Sequence, residues 1–568
     1  MHSIGIWTLL VALAQSPAND APPPNAASIA TQAKPLTVNA TGVPTERDTP
    51  AGPDTMAVCP APLVAGLSDW LAYRRGQGHQ VEVMVVDGGE SAEQTRERIR
   101  GRIRAVARAG ALRAVVLIGD AAPADNRDAG MRTRTIPAFF ADAKVNTRWG
   151  SEPQIATDNW YADLDDDDVP DLAIGRLPAD SPAELTALTR RIAAYEQTLD
   201  HGLWRQRVNF VAGVGGFGAL VDSLLETATK KFLTDGIPTA YDTSMTYGSW
   251  RSPYCPDPRR FQQATLDRFN EGCLFWVYIG HGHPLQLDRV RLPNGTHPIL
   301  TVNDLARLRA KHAPPIAVML ACYTGAFDFP RDCFAEEMVR AEGGPIAALC
   351  GSRVTMPYAM AVLAHGMLEE VFRQRRETLG EVLLRAKQRL VKNEPDDTHR
   401  QLLDALAATV SPSAKLLPDE RREHLHLFNL LGDPLLRIRH PLPARVVIPE
   451  DVEAGQEVEI SLESPTAGKA TLQLVCRRDR LRVDLPARDD FESAAREFER
   501  FDVAYRFAND RRWLNEALDW RNPGVFRATL KIPEEAHGAC HLTLHVDGRD
   551  HHALGAADLF VRKQRPKP

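Results

Sequence analysis

Hydrophobic and polar positions divide the chain into regions of different texture. Between about residues 57 and 440, short apolar runs alternate with stretches of helical period. Residues 81–86 and 114–118 read as strands. Between them, residues 91–109 carry helical periodicity and stop at Gly110. Residues 171–174 form another short apolar run, and 182–196 an amphipathic helix. The alternation resumes at 208–212, followed by helical stretches near 219–233, 258–270 and 302–311. Apolar runs at 273–279, 316–321 and 345–349 follow, with a helix from about Cys333 and two or three more across 358–410. Strand–helix alternation predicts α/β architecture, with mostly parallel sheets flanked by helices. We divide it into an N-terminal subdomain, 57–204, and a second, 205–443.

From about 444 the period shifts to two. Residues 446–448, 457–462, 470–475, 526–532 and 541–546 alternate apolar and polar positions, with turn residues such as Asp547-Gly548 between runs. This predicts an all-β sandwich over 444–562, broken by a charged, helix-like insertion at 491–514. Residues 15–56 are rich in Pro, Ala, Thr and Asn without period and read as a disordered leader or pro-segment. Residues 4–14 are apolar and end in Ala12-Leu13-Ala14, the small-x-small form of a signal-peptidase site. That predicts a signal peptide over 1–14 and a secreted, periplasmic or cell-surface protein. The stretch is too short to span a bilayer, and no later segment is long and apolar enough to form an integral membrane segment.

Composition narrows this picture. The 568 residues exceed one ordinary domain, and 44% hydrophobic with 25% charged residues is a globular balance. Net charge is −6 with no basic block, which points away from nucleic acid. Eight cysteines in so long a chain do not make a disulfide framework, and no CxxC suggests structural zinc. Cys273 and Cys350 sit in strand-like runs and read as inert core residues. Cys476 and Cys540 fall in the β-rich part and could pair after export.

The chemistry lies at the ends of two apolar runs. Residues 273–279 lead into Gly280-His281-Gly282, and 316–321 into Cys322-Tyr323-Thr324-Gly325. Open α/β sheets carry their chemistry at the carboxyl ends of such strands. A His and a Cys delivered there form a nucleophile and acid/base pair. A solitary cysteine is ordinarily a small buried hydrophobe and a solitary Gly-His-Gly a turn; only the two together point to chemistry.

Tyr278-Ile279-Gly280-His281-Gly282, Leu320-Ala321-Cys322-Tyr323-Thr324-Gly325-Ala326-Phe327-Asp328, and the stretch from Cys333 to Met338 resemble the two catalytic segments of the gingipain-type cysteine peptidases. Residues 157–165 and 170–178, the latter with Gly175-Arg176, are similar to that family's N-terminal subdomain. Leu431-Gly432-Asp433-Pro434 resembles the end of its catalytic domain. The resemblance implies a caspase-like fold of two subdomains followed by an immunoglobulin-like sandwich. It implies a cysteine endopeptidase acting on protein or peptide substrates, with Cys322 as nucleophile and His281 as acid/base. The N–H groups of Gly282 and Cys322 would form an oxyanion hole, and no cofactor is required for the chemistry. The acidic group that steadies the histidine would fall at Asp171, one carbon shorter than the family's Glu.

The resemblance also directs attention to a substrate pocket. Asp180 is the candidate acid for a basic P1 side chain, and Tyr358 the candidate aromatic wall. Arg353 would oppose a basic P1 residue unless paired. His283 reads as a loop histidine and Cys333 as structural. Asp163, Asp165, Asp166, Asp167 and Asp168 form an acidic run whose mutual repulsion a hard cation would relieve. We take Asp163, Asp165 and Asp167 as candidate ligands for structural calcium; an exposed acidic loop is the competing reading. Two functional alternatives remain: a sortase-like transpeptidase using the same residues, and a non-catalytic binding or adhesion protein.

Overall fold

The computed structural model describes residues 52–563 apart from 124–128, 215–235, 393–394, 412, 489 and 493. The expected signal peptide, the leader up to residue 51 and the helix at 219–233 lie outside the described residues. The α/β part is built on one sheet. Its strands are β1 (Thr55–Pro60), β2 (Val81–Val86), β3 (Ala114–Ile118), β4 (Ala173–Leu177), β5 (Arg207–Ala212), β6 (Asp242–Tyr247), β7 (Phe275–Ile279), β8 (Ile316–Leu320), β9 (Ala347–Gly351) and β10 (Phe428–Leu431). Their order across the sheet is β2-β1-β3-β4-β10-β9-β8-β7-β5-β6. β1 had no counterpart in the sequence reading; it begins inside the stretch assigned to the leader.

All neighbours in this sheet are parallel except β9 and β10, which run antiparallel with Gly351 opposite Phe428. The sheet thus has two parallel halves of opposite direction, β1–β4 with β10 and β5–β9; β10, from the second of the two expected stretches, lies in the first half. The carboxyl ends of β7, β8 and β9 share an edge with the amino end of β4. This reversal decides which sequence-adjacent groups reach the site.

Both faces of the first half-sheet are covered, as a parallel sheet requires. Met56, Val58, Val115 and Leu117 face one core with Ile99 and Ile103 of α1 (Ala92–Ala107). Ala57, Cys59, Ala114 and Val116 face the other, with Leu185, Leu188 and Ile192 of α2 (Pro182–Gln197). Helix α1 starts at a capping box in which the Ser91 hydroxyl accepts from the Gln94 N–H while the Gln94 side chain returns to the Ser91 N–H. Gly110 takes the left-handed conformation shortly after its end (φ +83°).

The C-terminal part comprises a six-stranded and a three-stranded sheet over one apolar core. Cys476 and Cys540 stand opposite each other on neighbouring strands, and both are free thiols. The helical insertion is α3 (Ala495–Asn509). It docks on β6, the edge strand of the large sheet. The Asn509 side-chain amide accepts from the Met245 N–H (2.8 Å) and donates to the Met245 carbonyl (3.0 Å), as a neighbouring strand would. Phe498 and Phe501 extend the main core, so an exposed edge is capped rather than left open.

Candidate active site

β7 and β8 are parallel neighbours with Ile279 opposite Leu320. His281 and Cys322 each follow two residues beyond these positions, so the two side chains leave adjoining strand ends at one level. The approach is close. A Cβ on Gly282 would lie 2.3 Å from the Cys322 carbonyl oxygen and 2.8 Å from the Thr324 methyl, so only glycine fits there. A Cβ on Gly325 would lie 2.3 Å from the Cys350 sulfur. Between these two glycines the cysteine turn is pinned. Tyr323 takes the left-handed conformation (φ +57°), uncommon for a bulky side chain and the sign of a sharp turn after Cys322. Its N–H donates to the Arg353 carbonyl (3.2 Å) and the Gly325 N–H to the Gly351 carbonyl (2.9 Å).

Cys322 is half-buried and the other seven cysteines are buried. Burial pushes the thiols of Cys59, Cys255, Cys273 and Cys540 up to about 12, and those of Cys333 and Cys350 higher. Those groups stay protonated and unreactive, leaving Cys322 as the accessible thiol. The Thr355 N–H donates to its sulfur (3.3 Å), and the Thr355 hydroxyl lies 3.5 Å away.

The histidine loop is set from below by Tyr278. Its buried hydroxyl donates to the His281 carbonyl (2.7 Å) and accepts from the Asp288 N–H (3.1 Å). Burial holds this phenol protonated well above its ordinary range, offset in part by the hydrogen bond from the Asp288 N–H. His281 is half-buried, whereas His283 is exposed on the hairpin formed by Gly282–His283 and Gln286–Leu287.

Other expected residues are placed differently. Asp171 precedes β4, four strand steps from β7, or roughly 19 Å at about 4.8 Å per step. Its carboxylate accepts from the Leu164 N–H (2.8 Å) within the acidic loop. The structure therefore does not bring it to His281. Asp180 lies beyond the far end of β4, away from the Cys322 edge because β4 runs opposite to β8. It pairs with Arg340 (3.1 Å) in a group with Asp120 and Asp332. It does not serve the Cys322 pocket.

Arg353 and Tyr358 lie on the segment that follows β9, where the Arg353 carbonyl accepts from the Tyr323 N–H. Arg353 is neutralised by a bidentate pair with Asp328 (2.8 and 2.6 Å) and also donates to the Gln154 carbonyl. The Tyr358 hydroxyl donates to Asp404 (2.6 Å) and accepts from Arg421 (2.6 Å). Glu152, absent from the sequence reading, accepts from the Tyr323 hydroxyl (2.8 Å), next to Cys322. Thr355 and Tyr278 were also missed. Nothing in linear spacing marks them, since each matters only through a long-range contact.

In the acidic loop, ligand atoms of Asp163, Asp165 and Asp171 lie within 4.8 Å of one another. Asp167 instead accepts from the Val169 N–H (2.8 Å) and stands outside this group, so Asp171 replaces it. Burial raises the Asp163 carboxyl above its ordinary range. Burial and then the neighbouring carboxylates Asp165, Asp163 and Asp167 raise Asp171. Arg100 offsets part of this charge, at 3.3 Å from Asp163 and 2.8 Å from Asp166.

Residues 48–439 match the family model described as peptidase family C25. Lys-gingipain of Porphyromonas gingivalis is 24% identical over 230 residues, 39% of this chain and 12% of its own length. Gingipain R2 of the same organism is 22% identical over 313 residues, 54% of this chain and 38% of its own length. The chain thus spans well under half the length of these curated relatives. The crystal structure of the Arg-specific cysteine proteinase gingipain R superposes with a TM-score of 0.50 at 16% identity, covering 91% of this chain and 99% of that one. A second structure, described as a protease, gives 0.51 at 14% identity, covering 89% and 97%. At these identities the likeness is one of fold, whereas the family model covers most of the sequence. The chain belongs to peptidase family C25.

Proposed function

We propose that this chain is a secreted cysteine endopeptidase that cleaves peptide bonds through a Cys322–His281 dyad and an acyl-enzyme. The observation that carries the reading is the delivery of these two side chains to adjoining ends of β7 and β8, with Gly282 packed on the Cys322 carbonyl. The Cys322 thiolate attacks the scissile carbonyl carbon and the carbonyl electrons move to oxygen. The N–H groups of Gly282 and Cys322 receive that oxyanion; removal of one such donor costs about 10²–10³ in rate. Protonated His281 gives its proton to the departing amine, then takes one from the water that cleaves the thioester. Tyr358 and the Arg353–Asp328 pair wall the substrate cleft. With its charge already matched by Asp328, Arg353 does not by itself repel a basic P1 residue.

A structural calcium ion held by Asp163, Asp165 and Asp171 belongs to the same reading. It is supported by the convergence of three carboxylates, two of them raised by burial. The sandwich after residue 444 is read as an immunoglobulin-like module that braces the catalytic sheet through α3.

Assay of an unstructured peptide library tests the function. Cys322→Ala is expected to abolish hydrolysis. His281→Ala is expected to lower kcat by about 10²-fold or more, and His283→Ala to leave it within twofold. A larger loss at His283 than at His281 would reassign the base. Products joined to an added amine, rather than to water, would favour the transpeptidase alternative.

A further inference from the structure

Assigning His281 as the acid/base leaves open what orients it, since Asp171 lies elsewhere. The hairpin supplies a different acid. Gly282 pairs with Leu287 and His283 with Gln286, so His281 and Asp288 are the residues that follow at the open end of this two-residue ladder. At this position the Tyr278 hydroxyl stands between the two strands, donating to the His281 carbonyl and accepting from the Asp288 N–H. The same buried phenol therefore fixes the backbone of both residues.

The Asp288 side chain is 8% exposed. One carboxylate oxygen, Oδ1, lies 3.4 Å from Arg291. The other, Oδ2, is buried and has no hydrogen-bond partner among the described residues. A buried carboxylate oxygen without a donor is costly, and such a group in a native fold calls for a reason. Its space exists because residue 213 is glycine: a Cβ there would lie 3.2 Å from Oδ2 and 3.5 Å from the Tyr278 hydroxyl. Gly213 follows β5, the strand beside β7, and its N–H donates to the Ile279 carbonyl (2.9 Å). The unpaired oxygen is thus held against the end of the strand that delivers His281. The charged or titratable groups beside it are Arg291 and Tyr278, with His281 bound through its carbonyl to the same phenol.

We propose that Asp288 is the positioning residue of His281, its carboxylate orienting the imidazole and stabilising the imidazolium that protonates the leaving amine. The acid comes from the strand that folds back directly after the histidine rather than from the acidic loop. This inference rests on the peptidase reading of His281, and its test is separable from that reading. In the full chain with ¹³C-labelled histidine rings, the His281 resonance is assigned by its loss in His281→Gln and followed across pH.

Asp288→Asn is expected to lower the His281 pKa by about one unit or more, and Asp288→Glu to restore most of it. In parallel, kcat for a peptide substrate falls at least tenfold in Asp288→Asn with KM within twofold, and the alkaline limb of kcat moves to lower pH. If Asp288→Asn does not fold, Asp288→Ser, smaller and also neutral, reads the same quantities. A His281 titration unmoved by loss of the carboxylate overturns the proposal. So does a variant whose only change is a higher KM for substrates with a basic P1 residue, which would make Asp288 a specificity group. A wild-type chain without peptidase activity overturns the function, while the titration still reports on the pairing.

Discussion

One added methyl group at Gly282 would strike the Cys322 carbonyl, and one at Gly325 the Cys350 sulfur. At this scale the sequence was readable where chemistry sits at the end of an apolar run. Cys322, His281 and Gly282 stand out because apolar runs end there, whereas Arg353 and Tyr358 come to notice only through the family resemblance. Asp171 and Asp180 misled for two physical reasons. Asp171 precedes β4 at the Cys322 edge but four strands away from β7, and Asp180 lies beyond the other end of β4, which runs opposite to β8; a sequence shows neither the order of strands across a sheet nor their direction. Asp288 was invisible because its partnership depends on the register of a two-residue ladder. In the acidic run, proximity in sequence favoured Asp167, but its carboxylate turns back to its own loop while Asp171 folds in. The cation reading therefore has a residue-level test. Calcium is expected to raise the melting temperature of the wild-type chain and EGTA to lower it, since a ligand at a hundred times its Kd adds about 2.7 kcal/mol of stability. Asp171→Asn should abolish the difference and Asp167→Asn should keep it. An identical pair of melting curves for the wild type would count against the ion.

Among elements, two short motifs turn out to be joints. A Cβ on Gly175 would lie 2.4 Å from the Gly432 carbonyl oxygen, so β4 and the exit of β10 meet backbone to backbone. Next to this contact Asp433 is fully buried and accepts from Trp70 and from Arg74 (3.1 and 2.7 Å), while Arg74 also pairs with Glu196 (2.9 Å). The Leu431-Gly432-Asp433-Pro434 motif thus clamps the helix Ser68–Gly76 and α2 to the sheet. Truncating one partner of a buried pair leaves a charge without compensation. Asp433→Ala should therefore cost about 3–5 kcal/mol in urea unfolding, whereas removal of an exposed pair such as Arg190–Asp69 should cost under about 1 kcal/mol. Equal losses would show that Asp433 is no anchor. Element type was largely legible from periodicity: the strands 81–86 and 114–118 and the helix 182–197 fall where the apolar pattern put them. β1 was not, because its short run ends in Pro60 and emerges from a Pro-rich leader. The charged helix at 495–509 was visible as a break in the β-pattern. That it caps β6 was not, since the capping groups, Asn509 and Tyr505, are ordinary helix residues.

Across the whole molecule, the sandwich and the catalytic part meet at three histidines. His545 Nε2–H donates to the His201 carbonyl (3.1 Å), and the His552 ring stacks on that of His201 at 5.8 Å. Burial lowers His201 and His545 to about 4 and His552 further, with Arg205 adding repulsion at His201 and His552. In the unfolded chain these rings take protons near pH 6.5, whereas the folded interface refuses them until about 4. Their contribution is therefore complete above pH 6.5 and is lost as pH falls through the window from 6.5 to 4. The melting temperature should drop across that window, and His552→Phe should flatten the drop. A flat wild-type profile would mean the cluster is not closed to protons.

The central claim concerns the thiol at position 322 and the imidazole at position 281. The most direct measurement is alkylation by a peptidyl acyloxymethyl ketone, followed by mass spectrometry of the intact and digested chain. The account predicts one adduct per chain, on Cys322, slowed by His281→Ala and unaffected by His283→Ala. Absence of an adduct, or an adduct on any of the other seven cysteines with Cys322 unmodified, would contradict it.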